Sequence, residues 1–336
     1  MQRLGLTIGF EGTGLRDAVE LARHAEELGY TDLWTAEVGG ADALTPLAAL
    51  AVTTSSARLG TGIVPVFTRP PALLAMSAAA LGDLSGGRFV LGLGTSSNVI
   101  VERWMGERFA RPLTRLREYV EVVRACLTGD KVEFHGLTTR VDGFRLQHAP
   151  ADVPIHVAAL GPAACALAGE VGDGIVFFLK TPDGVREGLS WANAQRRDRG
   201  PLDVVIRLPF LVDHEPEVLS VAARRLLLSY APVDVYARSL AAQGFGVEIA
   251  AIREAWNAGD RRRAVELVPD HMIDALFVTG VDRAAARLDE LRAAGVTTPV
   301  LLPMSFADPA ERAGRVRRAV EALAPERARL GGTAER

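Results

Sequence analysis

The sequence predicts an α/β fold, a closed (β/α)8 barrel with a helical insertion before its last strand. Three observations lead there. Eight short apolar segments alternate with stretches whose apolar residues recur at helical spacing. One segment, Phe89-Val-Leu-Gly-Leu93, is continuously apolar, as a parallel strand covered on both faces must be. Gly, Ser and Thr cluster just beyond that segment, at the strand end where ligands sit in α/β folds. An open doubly wound sheet is the alternative arrangement.

Taken in order, Leu4 to Ile8 reads as the first strand, and Leu15 to Leu28 as its helix, with Gly29 as the stop. Asp32 to Ala36 is the second strand. Thr45-Pro46 reads as the N-cap and first residue of a helix running to about Ser55. Leu59 to Val64 is the third strand, and Pro70-Pro71 opens a helix to Leu84. Phe89 to Leu93 precedes the helix Leu113 to Leu127. Residues 128–150 break the rhythm; Val132-Glu-Phe134 and Arg145-Leu146, around Gly136 and Gly143, predict a short hairpin. Alternation resumes with Ile155 to Ala158, then the helix Pro162 to Val171. Gly174 to Phe178 is followed by a helix from Asp183 to Arg197, and Val204 to Val212 is the seventh strand. A helical stretch, Glu215 to Leu267, forms an insertion over about 215–270. Val281 to Ala294 and Pro299 to Leu302 complete the count. The reading is one barrel domain over 1–328, with 329–336 a frayed tail.

Bulk properties exclude several classes. A net charge of −3 provides no electrostatic footprint for nucleic acid. No apolar run approaches the roughly 20 residues of a membrane span. The first residues enter a strand at once, which leaves no place for a signal peptide and predicts a cytoplasmic protein. Cys126 and Cys165 lie in apolar helical pattern, as buried thiols in a reducing compartment do. The six His residues show no metal-ligand spacing, so no metal is expected.

The chemistry-bearing candidates lie at predicted strand ends. Gly92 and Gly94 remove side chains where something must approach the backbone. Thr95, Ser96 and Ser97 then offer hydroxyls and amides to a small polar, phosphorylated ligand; the alternative is an N-cap for the next segment. Gly161-Pro162-Ala163 begins a helix directly after the fifth strand, and its unpaired amides and dipole suit a phosphate; the alternative is a plain barrel turn. Glu37 ends the second strand. It reads as a contact to ligand, as a group for proton transfer, or as a solvated loop carboxylate. Phe10 and Glu11, after the first strand, and Trp104 are candidates to line a substrate pocket, or simply to pack. By itself Gly62-Ile63 reads as an ordinary strand end containing a glycine.

Four groups of residues together resemble the bacterial-luciferase-like superfamily, and within it the oxidoreductases that use the deazaflavin coenzyme F420. They are Leu33-Trp-Thr-Ala-Glu37; Leu59-Gly-Thr-Gly-Ile-Val-Pro65 with Thr68-Arg-Pro70; Leu91-Gly-Leu-Gly-Thr-Ser-Ser97 with Val101-Glu-Arg-Trp-Met-Gly106; and Ala158-Ala-Leu-Gly-Pro162 with Ala168-Gly-Glu-Val-Gly-Asp-Gly174. The resemblance implies a TIM-type barrel, usually a homodimer, with the coenzyme at its C-terminal mouth. It implies a non-proline cis bond at Gly62-Ile63 beneath the coenzyme ring. It also implies coenzyme contacts from Gly62, Ile63, Thr95, Ser96, Ser97, Gly161, Pro162 and Ala163. The expected function is hydride transfer between coenzyme F420 and a small organic substrate. The alternatives are an FMN-dependent monooxygenase and a barrel that binds the coenzyme without catalysis. Two departures matter. Ser97 stands near the place where some relatives carry an acidic proton donor. Glu37-Val38 replaces a pair ending in His, which argues against a sugar-phosphate dehydrogenase.

Overall fold

A computed structural model describes residues 2–9, 14–148, 152–197, 199–213 and 215–325. Eight strands, β1 (Gly5–Thr7), β2 (Asp32–Thr35), β3 (Arg58–Thr61), β4 (Phe89–Gly94), β5 (Ile155–Ala158), β6 (Gly174–Phe178), β7 (Asp203–Leu211) and β8 (Thr298–Met304), carry the architecture. Each pairs in parallel with the next, and β8 returns to β1 through Gly5 opposite Val300 and Leu6 opposite Leu301. The ring is closed, which excludes the open sheet.

The outer helices follow their strands: α1 (Leu15–Glu27), α2 (Leu44–Thr53), α3 (Pro71–Leu84), α4 (Pro112–Leu127), α5 (Pro162–Val171) and α6 (Pro182–Asn193). Proline opens four of them, where its missing N–H costs nothing. Thr45 is not the cap of α2. Asp42 Oδ1 accepts the amides of Leu44 (2.9 Å) and Thr45 (3.0 Å), so the helix starts at Leu44, two residues before Pro46, and Thr45 lies in its first turn. No described helix is long and apolar enough to cross a membrane.

The excursion after α4 is the expected hairpin, but its second strand is Arg140–Phe144 rather than Arg145-Leu146. The turn is tight because Glu118 on α4 accepts from the amides of Leu137 (2.6 Å) and Thr138 (2.9 Å), pulling the chain back early. After β7 the insertion forms five helices: α7 (Pro216–Leu228), α8 (Asp234–Leu240), α9 (Gly246–Asn257), α10 (Arg261–Glu266) and α11 (Asp270–Leu276). Leu227, Ile252, Met272 and their neighbours form a second apolar cluster, anchored to the barrel by Leu179 and Leu211. α12 (Ala284–Ala293) precedes β8, and α13 (Pro309–Ala322) follows it.

Alternate residues of each strand point inward, so the interior is layered. The floor is polar. Arg58 Nε donates to the fully buried Asp32 (2.5 Å), its Nη1 pairs with Asp203, and Nη2 donates to Thr298 (3.1 Å). His156 Nε2 lies 3.6 Å from Asp203, and its buried Nδ1 has no partner. Above this sits an apolar layer of Trp34, Val90, Val176, Val205 and Val300.

Burial pushes the His156 pKa down to about 4, with Asp203 pulling the other way and Arg58 reinforcing the drop. The folded state therefore holds this ring neutral where the unfolded chain would take up a proton. Stability from this group is complete above pH ~6.5 and is lost as pH falls from ~6.5 toward the folded value. We expect denaturant midpoints of the wild type to fall across that window by an amount equivalent to about 1–3 kcal/mol. His156→Gln should remove much of this slope; an unchanged slope would show that other groups set it.

Candidate active site

At the C-terminal end of β3 the chain bulges. The Gly62-Ile63 peptide is cis, and the strand direction resumes at Val64–Pro65, paired with Leu93 and Gly94 of β4. The bulge is tied on both sides. Gly62 N donates to Thr35 O (2.7 Å), and Glu37 N donates to Ile63 O (3.2 Å). Thr61 Oγ1 donates to Gly92 O (2.9 Å) and accepts from Gly92 N (2.8 Å). A Cβ on Gly92 would lie 1.8 Å from Thr61 O, and one on Gly94 would lie 2.9 Å from Ile63 Cγ1. Thus what approaches these two glycines is the neighbouring strand's bulge, not a ligand. Ile63 and Ala158 rest on the apolar layer yet stay partly exposed, so the mouth offers an accessible apolar seat.

The loop after β4 keeps Thr95 and Ser96 partly exposed, with Ser96 at φ 58°. Ser97 is buried; its hydroxyl accepts from Ile100 N (3.4 Å) and its carbonyl from Val101 N (2.9 Å). Its hydroxyl is thus turned toward the π-helical turn Val99–Trp104, whose N-cap is Asn98. Trp104 is exposed, and a Cβ on Gly39 would sit 3.8 Å from its ring, placing it over the loop after β2.

Gly161 is the extended N-cap of α5, Pro162 is its first residue, and no side chain caps the amides. Pro162 and Ala163 are exposed, and a Cβ on Gly161 would meet nothing within 4 Å. Ser239 on α8 donates to Leu160 O (3.1 Å), so the insertion holds the approach to this helix start.

Glu37 is ion-paired. Arg69 Nη1 donates to its Oε2 at 2.6 Å while reaching Asp42 at 3.5 Å. A carboxylate held this way ties the loop after β2 to Arg69. Phe10 and Glu11 lie outside the described residues.

One residue of the mouth escaped the sequence reading. Arg207 follows Val205 on the inner face of β7 and reaches across the barrel, where Nη1 donates to Gly62 O (2.7 Å). Its guanidinium carbon lies 5.9 Å from the Phe178 ring centre. Burial disfavours its charge. The available signal was a single charge in the apolar run Val204 to Val212, at an inward position.

The model of the luciferase-like monooxygenase family matches residues 3–298. The chain belongs to that family. Among curated members, a Mycobacterium tuberculosis protein named as a coenzyme F420-dependent oxidoreductase is 30% identical, covering 89% of this chain and 94% of the relative. An F420-dependent glucose-6-phosphate dehydrogenase of Nocardia farcinica is 34% identical over 64% of this chain and 70% of its own. Among solved structures, the coenzyme F420-dependent tetrahydromethanopterin reductase of Methanopyrus kandleri superposes with a TM-score of 0.75 at 23% identity, covering 96% of this chain and 98% of that one. These relatives are enzymes, and the shared luciferase-like fold is the closed barrel described above.

Within this luciferase-like barrel, three elements converge on the mouth: an apolar seat at Ile63 and Ala158, an uncapped helix start at Gly161, and a guanidinium beside the bulge. The seat and the helix start suit a flat ring with an anionic tail, and the guanidinium stands beside them.

Proposed function

We propose that the chain is an oxidoreductase that transfers a hydride between coenzyme F420 and a small organic substrate. The observation that carries this reading is the open, uncapped start of α5 at Gly161, at the same barrel mouth as the Ile63 seat. The named activity of the Mycobacterium tuberculosis relative supports it. Bound there, the deazaflavin would supply two-electron hydride chemistry, its ring carrying carbon where a flavin has N5. The chain's own residues do the rest. Ile63 and Ala158 seat the ring, Thr95 and Ser96 offer hydrogen bonds, and the amides after Gly161 and Pro162 hold the tail's phosphate. Glu37, paired with Arg69, keeps the loop after β2 in place.

FMN is the second candidate, favoured by the monooxygenase description of the family. The test titrates purified protein with coenzyme F420, FMN and NADPH in parallel. We expect coenzyme F420 to bind best, with its absorbance near 420 nm perturbed; binding of FMN alone at micromolar affinity would reject the proposal. Gly161→Asp should weaken coenzyme F420 binding about tenfold or more, because a carboxylate then opposes the phosphate. Unchanged affinity in that variant would reject the phosphate assignment.

A further inference from the structure

The barrel interior holds two arginines with opposite surroundings. Arg58, on the floor, is matched by Asp32 and Asp203. Arg207, at the mouth, forms no ion pair with any described residue. Among the described residues its hydrogen bond goes to Gly62 O, and its buried Nε has no acceptor there. A guanidinium carries five N–H donors, so most of this one's capacity is left over. Arg207 is only partly exposed, and a half-sheltered charge without a counter-ion is retained most readily where a ligand supplies the missing anion.

The surroundings indicate the body that anion is attached to. Phe178, at the end of β6, lies 5.1 Å from Tyr230 and 6.3 Å from Tyr236 between ring centres, and the two tyrosines are 4.9 Å apart. All three are partly buried and belong to the edge of the insertion's apolar cluster. This aromatic group adjoins the guanidinium and extends from the barrel into the helices above it.

We propose that Arg207 selects the substrate, holding the anionic oxygen of a carboxylate or enolate whose flat, unsaturated body packs on Phe178, Tyr230 and Tyr236. Arg207 is thus a specificity residue for the reaction proposed above, on which this assignment rests for its chemistry though not for its binding. A role limited to bracing the bulge would require only one donor to Gly62 O, which glutamine or lysine also provides. Arginine adds a planar, paired set of donors suited to a carboxylate.

The test measures binding of benzoate and of its neutral isostere benzamide by calorimetry, with and without saturating coenzyme F420. The proteins are wild type, Arg207→Met, Arg207→Gln and Arg207→Lys. We expect the wild type to prefer benzoate about tenfold or more, the Met and Gln variants to lose that preference, and Lys to keep part of it. Coenzyme F420 affinity should stay within about threefold throughout. Equal preference in wild type and the Gln variant overturns the assignment, as does absence of benzoate binding by the wild type. A parallel fall in coenzyme affinity also overturns it, since the arginine would then serve the coenzyme. If the wild type ignores coenzyme F420 yet shows an arginine-dependent benzoate preference, the coenzyme reading falls and the substrate assignment stands. Near-ultraviolet circular dichroism checks folding; should the Met variant misfold, the Gln and Lys variants decide.

Discussion

Arg58→Met is expected to lower the free energy of unfolding by about 3–5 kcal/mol, which a guanidinium-chloride midpoint would reveal. The reason lies on the barrel floor, where this side chain bridges two carboxylates on strands that are distant in sequence. Asp32 is fully buried and Asp203 largely so. Removing the cation leaves both charges with reduced solvation, and the loss exceeds the worth of the contacts themselves. Arg3, 3.3 Å from Asp32 and partly exposed, offers weak compensation. Combining Arg58→Met with Asp32→Asn and Asp203→Asn should recover part of the loss, because no unpaired charge then remains. A triple variant no more stable than the single one would show that packing of Arg58 against Trp34, at 5.7 Å, dominates instead.

Gly92→Ala is expected to cost about 3 kcal/mol or more and to abolish the coenzyme site in whatever protein folds. The new methyl group would stand 1.8 Å from Thr61 O, a backbone atom that cannot rotate away. Relief requires β3 and β4 to part where Thr61 and Gly92 exchange two hydrogen bonds. The displacement passes directly to Gly62 and Ile63. The check is paired: thermal unfolding reads the stability, and coenzyme titration reads the bulge. Retained affinity in a folded Gly92→Ala protein would mean that the seat at Ile63 does not hold the ring.

The fold was legible because the barrel strands are short, largely apolar runs and most outer helices begin with a proline or end beside a glycine. Those signals are local. The floor was not legible. Asp32, Arg58, His156 and Asp203 lie on four different strands, and only closure of the ring brings them together. Gly92 and Gly94 were recognised as places of close approach, but a single sequence does not say what approaches; the neighbouring strand does. Threonine suits a cap position, which is why Thr45 reads as one, but it is Asp42, three residues before it, that accepts the amides of Leu44 and Thr45 at the helix start. Arg207 was overlooked because one arginine in an apolar strand is compatible with a snorkelling edge residue. Its meaning appears only when Gly62, on the opposite side of the barrel, is placed against it.

The apolar layer of Trp34 and four valines has a further consequence. It separates two charged layers of one packed interior, the matched floor and the rim. Charge placed on the lower side is neutralised there and contributes little to the potential felt by a ligand at the rim. The lower compartment can therefore be rewritten to raise thermal tolerance while substrate choice stays as it is, and the rim can be altered to change substrate choice with little effect on folding.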